Sequence, residues 1–453
     1  MNQRAISRAC WVVMSVGLAA CADDGDGAGA GGAGGGVGDV TYYQDVAPIL
    51  NRSCAGCHQT GQIGGFSLDT YESAKASAGV LAANAESGVM PPFDAVETDE
   101  CDPPGTWRDD PRLSDDEKET LRAWADAGAP EGDPNDATPA EPIPPPELDR
   151  VDLELTRDVP STISGDVDLF HCVTLDPAFA EPTWVDGIHI NVDNPLVAHH
   201  AITSIVKRAD APGADGEVSD CFGGTAGIMV HGWVPGGKPF DLPPGVGISI
   251  QPDEVLVVQM HYHPTGTSVE EDASSIQLRL AQTAPSWELF VQLRGNASNA
   301  SEGLLPGPND TAEPEFLVPA NVEGHVEEMQ YTVPEVGPEG LPLLFVGGHM
   351  HYVGRDFKVT LSGAEDECLL QIPEWDFNWQ LFYQYDAPIE GLPRLRTGDT
   401  LRLRCTYDNS MGNPFLGKAL DEQGLAAPVD VTLGEASLEE MCIVALGVLV
   451  PVP

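Results

Sequence analysis

Beyond residue 150 the chain consists of short apolar or alternating runs that end at glycine, proline or aspartate. Runs of this length, rich in β-branched and aromatic residues, are typical of strands, and the frequent turn residues favour antiparallel sheets. The pattern therefore predicts antiparallel β-sandwiches. The clearest runs are residues 247–250, 255–259, 343–346, 358–361, 400–405 and 443–450.

Two breaks divide the chain into domains. Residues 131–147 contain a dense run of prolines and acidic residues, which predicts a semi-rigid spacer. Residues 298–319 are polar and rich in proline and glycine, which predicts a boundary inside the β-rich part. The sequence thus predicts a multidomain protein with a domain at 41–133, a Pro-rich linker at 134–149, and β domains at 150–300 and 301–453.

The N-terminus carries an export signal. Arg4 and Arg8 precede an apolar run that is too short to span a membrane, and Cys21 follows a Leu-Ala-Ala sequence. This pattern predicts a bacterial lipoprotein signal at 1–20, lipidation of Cys21, and a flexible Gly- and Asp-rich tether at 21–40. We expect an exported protein, anchored by lipid on the periplasmic side or at the outer membrane or cell surface. The alternative is an ordinary signal peptide with a fortuitous cysteine.

Cys54, Cys57 and His58 form a Cys-x-x-Cys-His run. Such a run attaches haem c: the two thiols form thioethers, and the histidine becomes an axial iron ligand. Met90, in a Met-Pro-Pro sequence, is the expected second axial ligand. A helix is predicted from Ser114, which can form a capping box, to a stop at residue 128. These features predict a small all-α cytochrome c domain that transfers electrons.

The β-rich part carries two further groups of metal-ligating residues. The first group contains His199, His200 and His261. The second contains His349, His351 and Met441. Imidazole suits copper, and a thioether sulfur is a soft ligand that favours Cu(I). The two groups therefore predict two copper ions that change oxidation state.

Each group has an alternative interpretation. Adjacent strand residues point to opposite faces, so His199 and His200 can share a metal only where a bulge or twist aims both rings together. His349 and His351 alternate, and so share a face. Met441 could instead be a core methionine. The aromatic residues between 375 and 383 could form core or the wall of an apolar substrate pocket.

The order of these residues resembles the copper type II monooxygenases, the family of peptidylglycine alpha-hydroxylating monooxygenase and dopamine beta-monooxygenase. The resemblance covers roughly residues 150–453. The matching motifs are the His199-His200 pair, the Gln-x-His-Tyr run at 259–262, the His-x-His-x-x-Gly run at 349–354 and the Glu-Met-Cys run at 440–442.

The resemblance implies a fold and a set of roles. It implies two jelly-roll-like β-sandwich domains, each holding one copper, with dioxygen activated at the copper of His349, His351 and Met441. The other copper would store an electron, with Gln259 beside it. The resemblance also implies disulfides Cys172–Cys221 and Cys405–Cys442. Cys101 and Cys368 are left over, and they either pair across domains or stay free.

The chain also departs from the family. Ala201 stands where the family usually has Met, and Met350 where it usually has Thr. Gly347, Ile443 and Ala445 occupy the positions that hold the substrate carboxylate in peptide-amidating members. These departures argue against peptide amidation, although the copper chemistry can persist without those residues.

Charge excludes some partners. The chain has 71 acidic and 22 basic residues and a net charge of -49, which repels nucleic acids and anionic lipids. We expect no nucleic acid partner and membrane contact only through the lipid anchor. The predicted function is hydroxylation of an unactivated C–H bond of an unknown small organic substrate with dioxygen. Electrons would come through the fused haem from a periplasmic donor. The alternative is a non-enzymatic electron-transfer or copper-binding lipoprotein.

Overall fold

The computed structural model describes residues 40–137, 147–165, 167–221, 227–296, 303–311, 313–363, 366–434 and 438–453. The predicted signal, Cys21, the tether before residue 40 and residues 138–146 of the predicted linker lie outside the described residues. The described part is mostly β-sheet with few helices, which agrees with the β-sandwich architecture predicted for the region beyond residue 150.

Most described helices lie before residue 137. α4 begins as predicted: Glu117 N donates to Ser114 Oγ, and Ser114 N donates to the Glu117 carboxylate. Leu121 and Trp124 of α4 are buried in a small apolar core that the helical part forms by itself. After a π-helical turn at Tyr42–Val46, the helices are α1 (Ala47–Ser53), α2 (Tyr71–Ala76), α3 (Ala78–Ser87), α4 (Asp115–Asp126) and, within the β-rich part, α5 (Leu416–Glu422).

The strands follow from residue 153 onwards. Those before residue 281 are β1 (Leu153–Leu155), β2 (Ser161–Ile163), β3 (Leu169–Leu175), β4 (Thr183–Asn191), β5 (Ala198–Lys207), β6 (Val218–Asp220), β7 (Ile228–Trp233), β8 (Phe240–Asp241), β9 (Val246–Ile250), β10 (Glu254–Tyr262), β11 (Glu270–Asp272) and β12 (Ser275–Leu280). The later strands are β13 (Trp287–Gly295), β14 (Leu317–Val318), β15 (Glu323–Thr332), β16 (Leu341–His349), β17 (Gly354–Ser362), β18 (Asp366–Ile372), β19 (Tyr383–Gln384), β20 (Arg394–Leu395), β21 (Thr400–Asp408), β22 (Val431–Thr432) and β23 (Ile443–Pro451).

Three larger sheets build the β-rich part. A five-stranded sheet has the order β6-β3-β10-β5-β7, and a four-stranded sheet has the order β15-β21-β17-β18. A ten-stranded sheet, with the order β1-β12-β4-β9-β13-β23-β16-β19 and with β8 and β20 at its sides, contains strands from both halves. Within this sheet, the strands of the two halves of the β-rich part join where β9 pairs in parallel with β13. The other named strand pairs of the described residues are antiparallel. One apolar core runs through these sheets.

The segment between α3 and α4 packs on the β-sheets. We call residues 93–110 the strap. Arg108 N donates to Gln384 O of β19 at 2.8 Å, and Arg108 Nη1 donates to Asp241 O of β8 at 3.2 Å. The strap therefore contacts both halves of the β-rich part. The strap side chains that join the large apolar core are Phe93, Ala95 and Trp107.

Three disulfides are present among the described cysteines. Cys101 of the strap pairs with Cys368 of β18, which resolves the alternative that the sequence left open. The two pairings implied by the resemblance, Cys172–Cys221 and Cys405–Cys442, are also formed. Because disulfides persist in oxidising compartments, they suggest an exported protein. In the described part of the chain, every helix is too short or too polar to cross a membrane.

Asp94 should make the stability of the strap depend on pH. Burial, together with nearby Asp376 and Glu374, raises the pKa of Asp94 to about 7. The unfolded chain loses this proton near pH 4, so stability decreases as the pH rises from about 4 through 7. Asparagine does not ionise, so the Asp94→Asn variant lacks this pH dependence. The free energy of unfolding of the variant minus that of the wild type, measured in urea titrations, should therefore increase by about 2 kcal/mol from pH 5 to pH 8. The same change at exposed Asp99 is the control, and an equal pH trend in both variants would contradict the prediction.

Candidate metal centres

The first histidine group lies on β5 and β10. The two strands are antiparallel, with His261 opposite His200 and Tyr262 opposite Ala198. The register shift leaves His199 as an extra residue on β5, which is a β-bulge. Because a bulge rotates the strand locally, two adjacent histidines can point to the same side. The structure thus supplies the bulge that this pair requires.

The three imidazole rings converge through their Nδ1 atoms. His200 Nδ1 lies 3.1 Å from His199 Nδ1 and 3.3 Å from His261 Nδ1. One potential ligand atom from each ring lies within 4.8 Å of the other two. Burial, followed by nearby His261, lowers the pKa of His199 to about 4 and that of His200 well below its usual value. Both rings are therefore neutral at pH 7, the form that binds a metal ion.

Asp168 contacts the other ring nitrogen, Nε2, of the third histidine, His261. Its carboxylate lies 3.1 Å from His261 Nε2 and 2.8 Å from His263 Nδ1. Burial acts to raise the pKa of Asp168, but the nearby His261 ring outweighs burial and lowers the value to about 2. A proton kept on His261 Nε2 leaves the Nδ1 lone pair for a metal ion. Sequence reasoning missed Asp168 because no motif marks it.

Replacing Asp168 by Asn should weaken metal binding at the first group. Asn cannot hold the Nε2 proton of His261 with a charged acceptor, and the loss of such a partner typically costs about 10- to 100-fold in metal affinity. Copper affinity measured by chelator competition should fall at this group and change much less at His349 and His351. Asp220→Asn, which changes an exposed carboxylate beside His171, is the matched control. Equal affinities in both variants would exclude this role for Asp168.

In the second group the Nε2 atoms, and not the Nδ1 atoms, are available to a metal ion. His349 ends β16 and His351 follows it, with ring centroids 5.0 Å apart. His349 Nδ1 donates to Gln380 Oε1 at 2.5 Å, and His351 Nδ1 donates to Glu439 O at 2.8 Å. These partners leave both Nε2 atoms available to a metal ion. Burial, followed by His351, lowers the pKa of His349 to about 4, so this ring is also neutral at pH 7.

Glu440 joins the Met441 segment to this group. Its Oε2 accepts hydrogen bonds from His351 N and Met441 N, at 2.8 and 2.9 Å. Its Oε1 accepts from Val353 N and Gly354 N, at 3.1 and 3.2 Å. Met441 is 4% exposed, and no described contact joins its sulfur to either histidine. The shared carboxylate therefore brings the Met441 backbone beside that of His351.

A single loop contacts both groups. The Trp379 ring centroid lies 6.4 Å from that of His199, and the next residue, Gln380, bonds to His349. The aromatic run divides between two environments, because Trp375 and Tyr383 are buried in the core whereas Trp379 is half-buried and faces His199. Sequence reasoning included Trp379 in the aromatic run but missed Gln380.

Gln259 lies on β10, two residues before His261. It is buried, and its Nε2 donates to Cys221 Sγ at 3.6 Å, so that its amide faces the Cys172–Cys221 disulfide. Gln259 and His261 share a face of the strand because side chains alternate. The structure thus places Gln259 on the same side of β10 as the third histidine.

The Cys-x-x-Cys-His run follows α1. Cys54 and Cys57 are free, partly buried thiols. His58 Nδ1 lies 3.3 Å from Phe66 O, to which it can donate, leaving Nε2 free to bind a metal ion. A Cβ atom on Gly236 would lie 3.3 Å from Cys57 Sγ, so the run lies close to the turn that follows β7. Within residues 40–137, no described contact joins Met90 to His58.

Part of the chain is similar to two known proteins. The chain is 28% identical over 194 residues to DBH-like monooxygenase protein 1 of Gallus gallus, and 28% identical over 193 residues to the Homo sapiens protein of the same name. The aligned region covers 41% of this chain but only 30% and 29% of these relatives, so the chain spans less than a third of their length. No family model matches. The major capsid protein P2 of bacteriophage PM2 aligns over 66% of this chain and 98% of its own, with 8% identity and a TM-score of 0.27, which is too low to support an argument.

Proposed function

We propose that the chain is a copper-dependent monooxygenase that hydroxylates an unactivated C–H bond of a small organic substrate with dioxygen. The observation that carries the proposal is the pair of histidine groups: three Nδ1 atoms converge in one, and in the other both Nδ1 atoms have partners, so the Nε2 atoms are available. Imidazole and thioether ligands suit copper. His199, His200 and His261 would hold one copper, and His349, His351 and Met441 the other.

Copper bound at these residues would supply one-electron chemistry and oxygen activation. The chain's own residues hold the ligands. Asp168 fixes the tautomer of His261, and Gln380 does the same for His349, so that each ring meets a metal ion with its lone pair already oriented. Glu440 fixes the backbone of Met441.

The substrate proposed here lacks the carboxylate that a peptide substrate presents. Gly347 faces Ala445 across β16 and β23, and a Cβ atom on Gly347 would lie 2.7 Å from the Phe382 ring. The position therefore has no room for the cationic side chain that peptide-amidating enzymes carry there. Phe377 and Trp379 offer apolar rings near His351 and His199, which favours an apolar substrate.

We further propose that haem c on Cys54 and Cys57 supplies the electrons, with His58 as one axial ligand and Met90 as the other. Support comes from the contact of Cys57 with the turn at Gly236. That turn follows β7, and β7 pairs with β5, which carries two of the three first-group histidines. We also propose the lipid anchor at Cys21 and a periplasmic electron donor.

Metal analysis of the mature chain, expressed with haem maturation, tests the proposal. We expect one haem and two coppers per chain, with EPR signals from two copper environments in the oxidised protein. In Met441→Ala the reduced protein should lose oxygen-dependent product formation, while the haem and the first copper remain. Met411→Ala, which alters a methionine that is 63% exposed, is the matched control.

Two results would contradict the proposal. Absence of stoichiometric copper would exclude the metal assignment. Two coppers that are reoxidised by oxygen without any oxygenated product, across a panel of apolar organic compounds, would favour the alternative of an electron-transfer or copper-binding lipoprotein. The closeness of Cys57 to the turn at Gly236 is also the observation behind this alternative. An electron-transfer protein needs such an approach between its redox centres but needs no substrate site.

A further inference from the structure

Three side-chain oxygens surround one point near β15. The point is where a Cβ atom on Gly307 would lie. Glu327 Oε2 is 3.3 Å from it, Asn309 Oδ1 3.5 Å and Asp310 Oδ2 3.6 Å, and these are its three nearest neighbours outside Gly307 and the two adjoining residues. None of these residues takes part in the copper or haem chemistry proposed above.

Glu327 is fully buried, with 0% exposure. His325 Nε2 donates to its Oε1 at 2.7 Å, and Leu317 N donates to the same oxygen at 3.4 Å. In the described part of the chain, Glu327 Oε2 has no hydrogen-bond donor. The carboxylate is thus satisfied on one side only, and its open side faces the point beside Gly307.

The other two oxygens are held in place by their neighbours. Asn309 Nδ2 donates to Leu317 O at 3.2 Å, which fixes the amide so that Oδ1 faces the point, and this oxygen too lacks a donor among the described residues. Asp310 Oδ1 accepts from Glu315 N at 3.2 Å, and Oδ2 accepts from Gly307 N at 2.7 Å. Three acceptors therefore face one point, and among the described residues Gly307 N is the one donor to these three atoms.

We propose that Glu327, Asn309 and Asp310 bind a hard divalent cation, and that Ca²⁺ fits best. Burying acceptor oxygens without a partner is unfavourable, and a cation supplies the missing partner for all of them. Carboxylate and amide oxygens are the ligands that Ca²⁺ prefers, at about 2.3–2.6 Å. The Cβ point itself is one bond length from Gly307 Cα, so the ion would lie between the three oxygens on the side away from that atom, and the oxygens would close on it to reach this distance. Asn309 and Asp310 are half-buried loop residues, which allows this movement, and water would complete the coordination.

The cation would stabilise β15, the strand that pairs with the disulfide-bonded strand β21. Glu327 lies opposite Cys405 in the pairing of β15 with β21, and directly paired residues point to the same face of a sheet. Cys405 is bonded to Cys442, the residue after Met441. The inference does not depend on copper, because it rests on oxygen ligands on β15 and the loop before it, and β15 belongs to a different sheet from the strands that carry the histidines.

Calcium titration of the full chain tests the site, with CaCl₂ added to EGTA-treated protein in a calorimeter. The acidic surface will also bind Ca²⁺ weakly, so the decisive variant is Gly307→Ala, which keeps every charge and puts a methyl group into the space among the three oxygens. Gly307 lies outside the positive-φ region, so its backbone accepts alanine. We expect one saturable site with a Kd of about 10⁻⁴–10⁻³ M or tighter. Gly307→Ala should weaken it at least roughly tenfold.

Glu327→Gln should weaken the same site, and Glu323→Gln, at an exposed position of the same strand, should not. The midpoint of thermal unfolding should rise with Ca²⁺ in the wild type and in Glu323→Gln, and less in Gly307→Ala. If Glu327→Gln does not fold, the comparison of Gly307→Ala with the wild type still decides the question. Indistinguishable calcium isotherms for these two proteins would overturn the proposal, as would the absence of a saturable site in the wild type.

Discussion

Replacing Glu440 by alanine is expected to abolish copper binding at His349, His351 and Met441, and to lower the free energy of unfolding by about 4 kcal/mol. The fully buried carboxylate accepts four backbone N–H groups, two of which belong to His351 and Met441. Removing it leaves four buried donors without a partner, each costing about 1–3 kcal/mol before water refills the space. The backbone around both ligands then loses its common anchor.

The measurements are copper stoichiometry with EPR, and urea unfolding monitored by fluorescence. Copper at His199, His200 and His261 should remain, because Glu440 does not contact that group in the described structure. Glu439→Gln is the matched control: it changes a neighbouring carboxyl side chain but keeps the backbone carbonyl that accepts from His351. A Glu440→Ala protein that still holds two coppers would show that the second group does not depend on this carboxylate.

Replacing both Cys101 and Cys368 by serine is expected to destabilise the protein by about 3–5 kcal/mol and to separate the unfolding of the helical part from that of the β-sheets. The disulfide closes a loop with a sequence separation of 267 residues, so it strongly restricts the unfolded chain. It also attaches the strap to β18, whereas the helices have their own apolar core. Without it, the helical part is held by noncovalent contacts alone.

Differential scanning calorimetry should therefore show one transition in the wild type and two in the double variant. The control is the wild type under conditions that leave its disulfides intact, with free thiols counted before and after heating. A double variant that unfolds in a single transition at the wild-type temperature would mean that the hydrogen bonds of the strap, such as Arg108 N to Gln384 O, suffice by themselves.

The sequence predicted features that depend on local pattern. Alternating runs indicated antiparallel sheets, and the capping box at Ser114 indicated the start of α4. The need for a bulge at His199 was also visible, because side-chain alternation forbids an adjacent pair from sharing a metal in a regular strand. In each case the determining residues lie within a few positions of one another.

Contacts between distant segments were not predictable in the same way. Asp168 lies 93 positions before His261, and Gln380 lies 31 positions after His349, with nothing in either local sequence to mark a partner. The strap is a similar case: residues 93–110 lie between α3 and α4 in the sequence, yet they pack against strands more than 100 positions away. Tertiary packing alone determines such pairings, so a single sequence gives no periodicity or motif from which to infer them.

The loop that carries Trp379 and Gln380 has a thermodynamic consequence. One residue contacts a ligand of the first histidine group and the next bonds to a ligand of the second, so a shift of this loop alters both groups together. Filling either group with metal would then change the affinity of the other, and linkage requires the two changes to be equal in free energy. Metal binding at the two groups is therefore expected to be coupled, and their joint titration curve should differ from the sum of two independent curves.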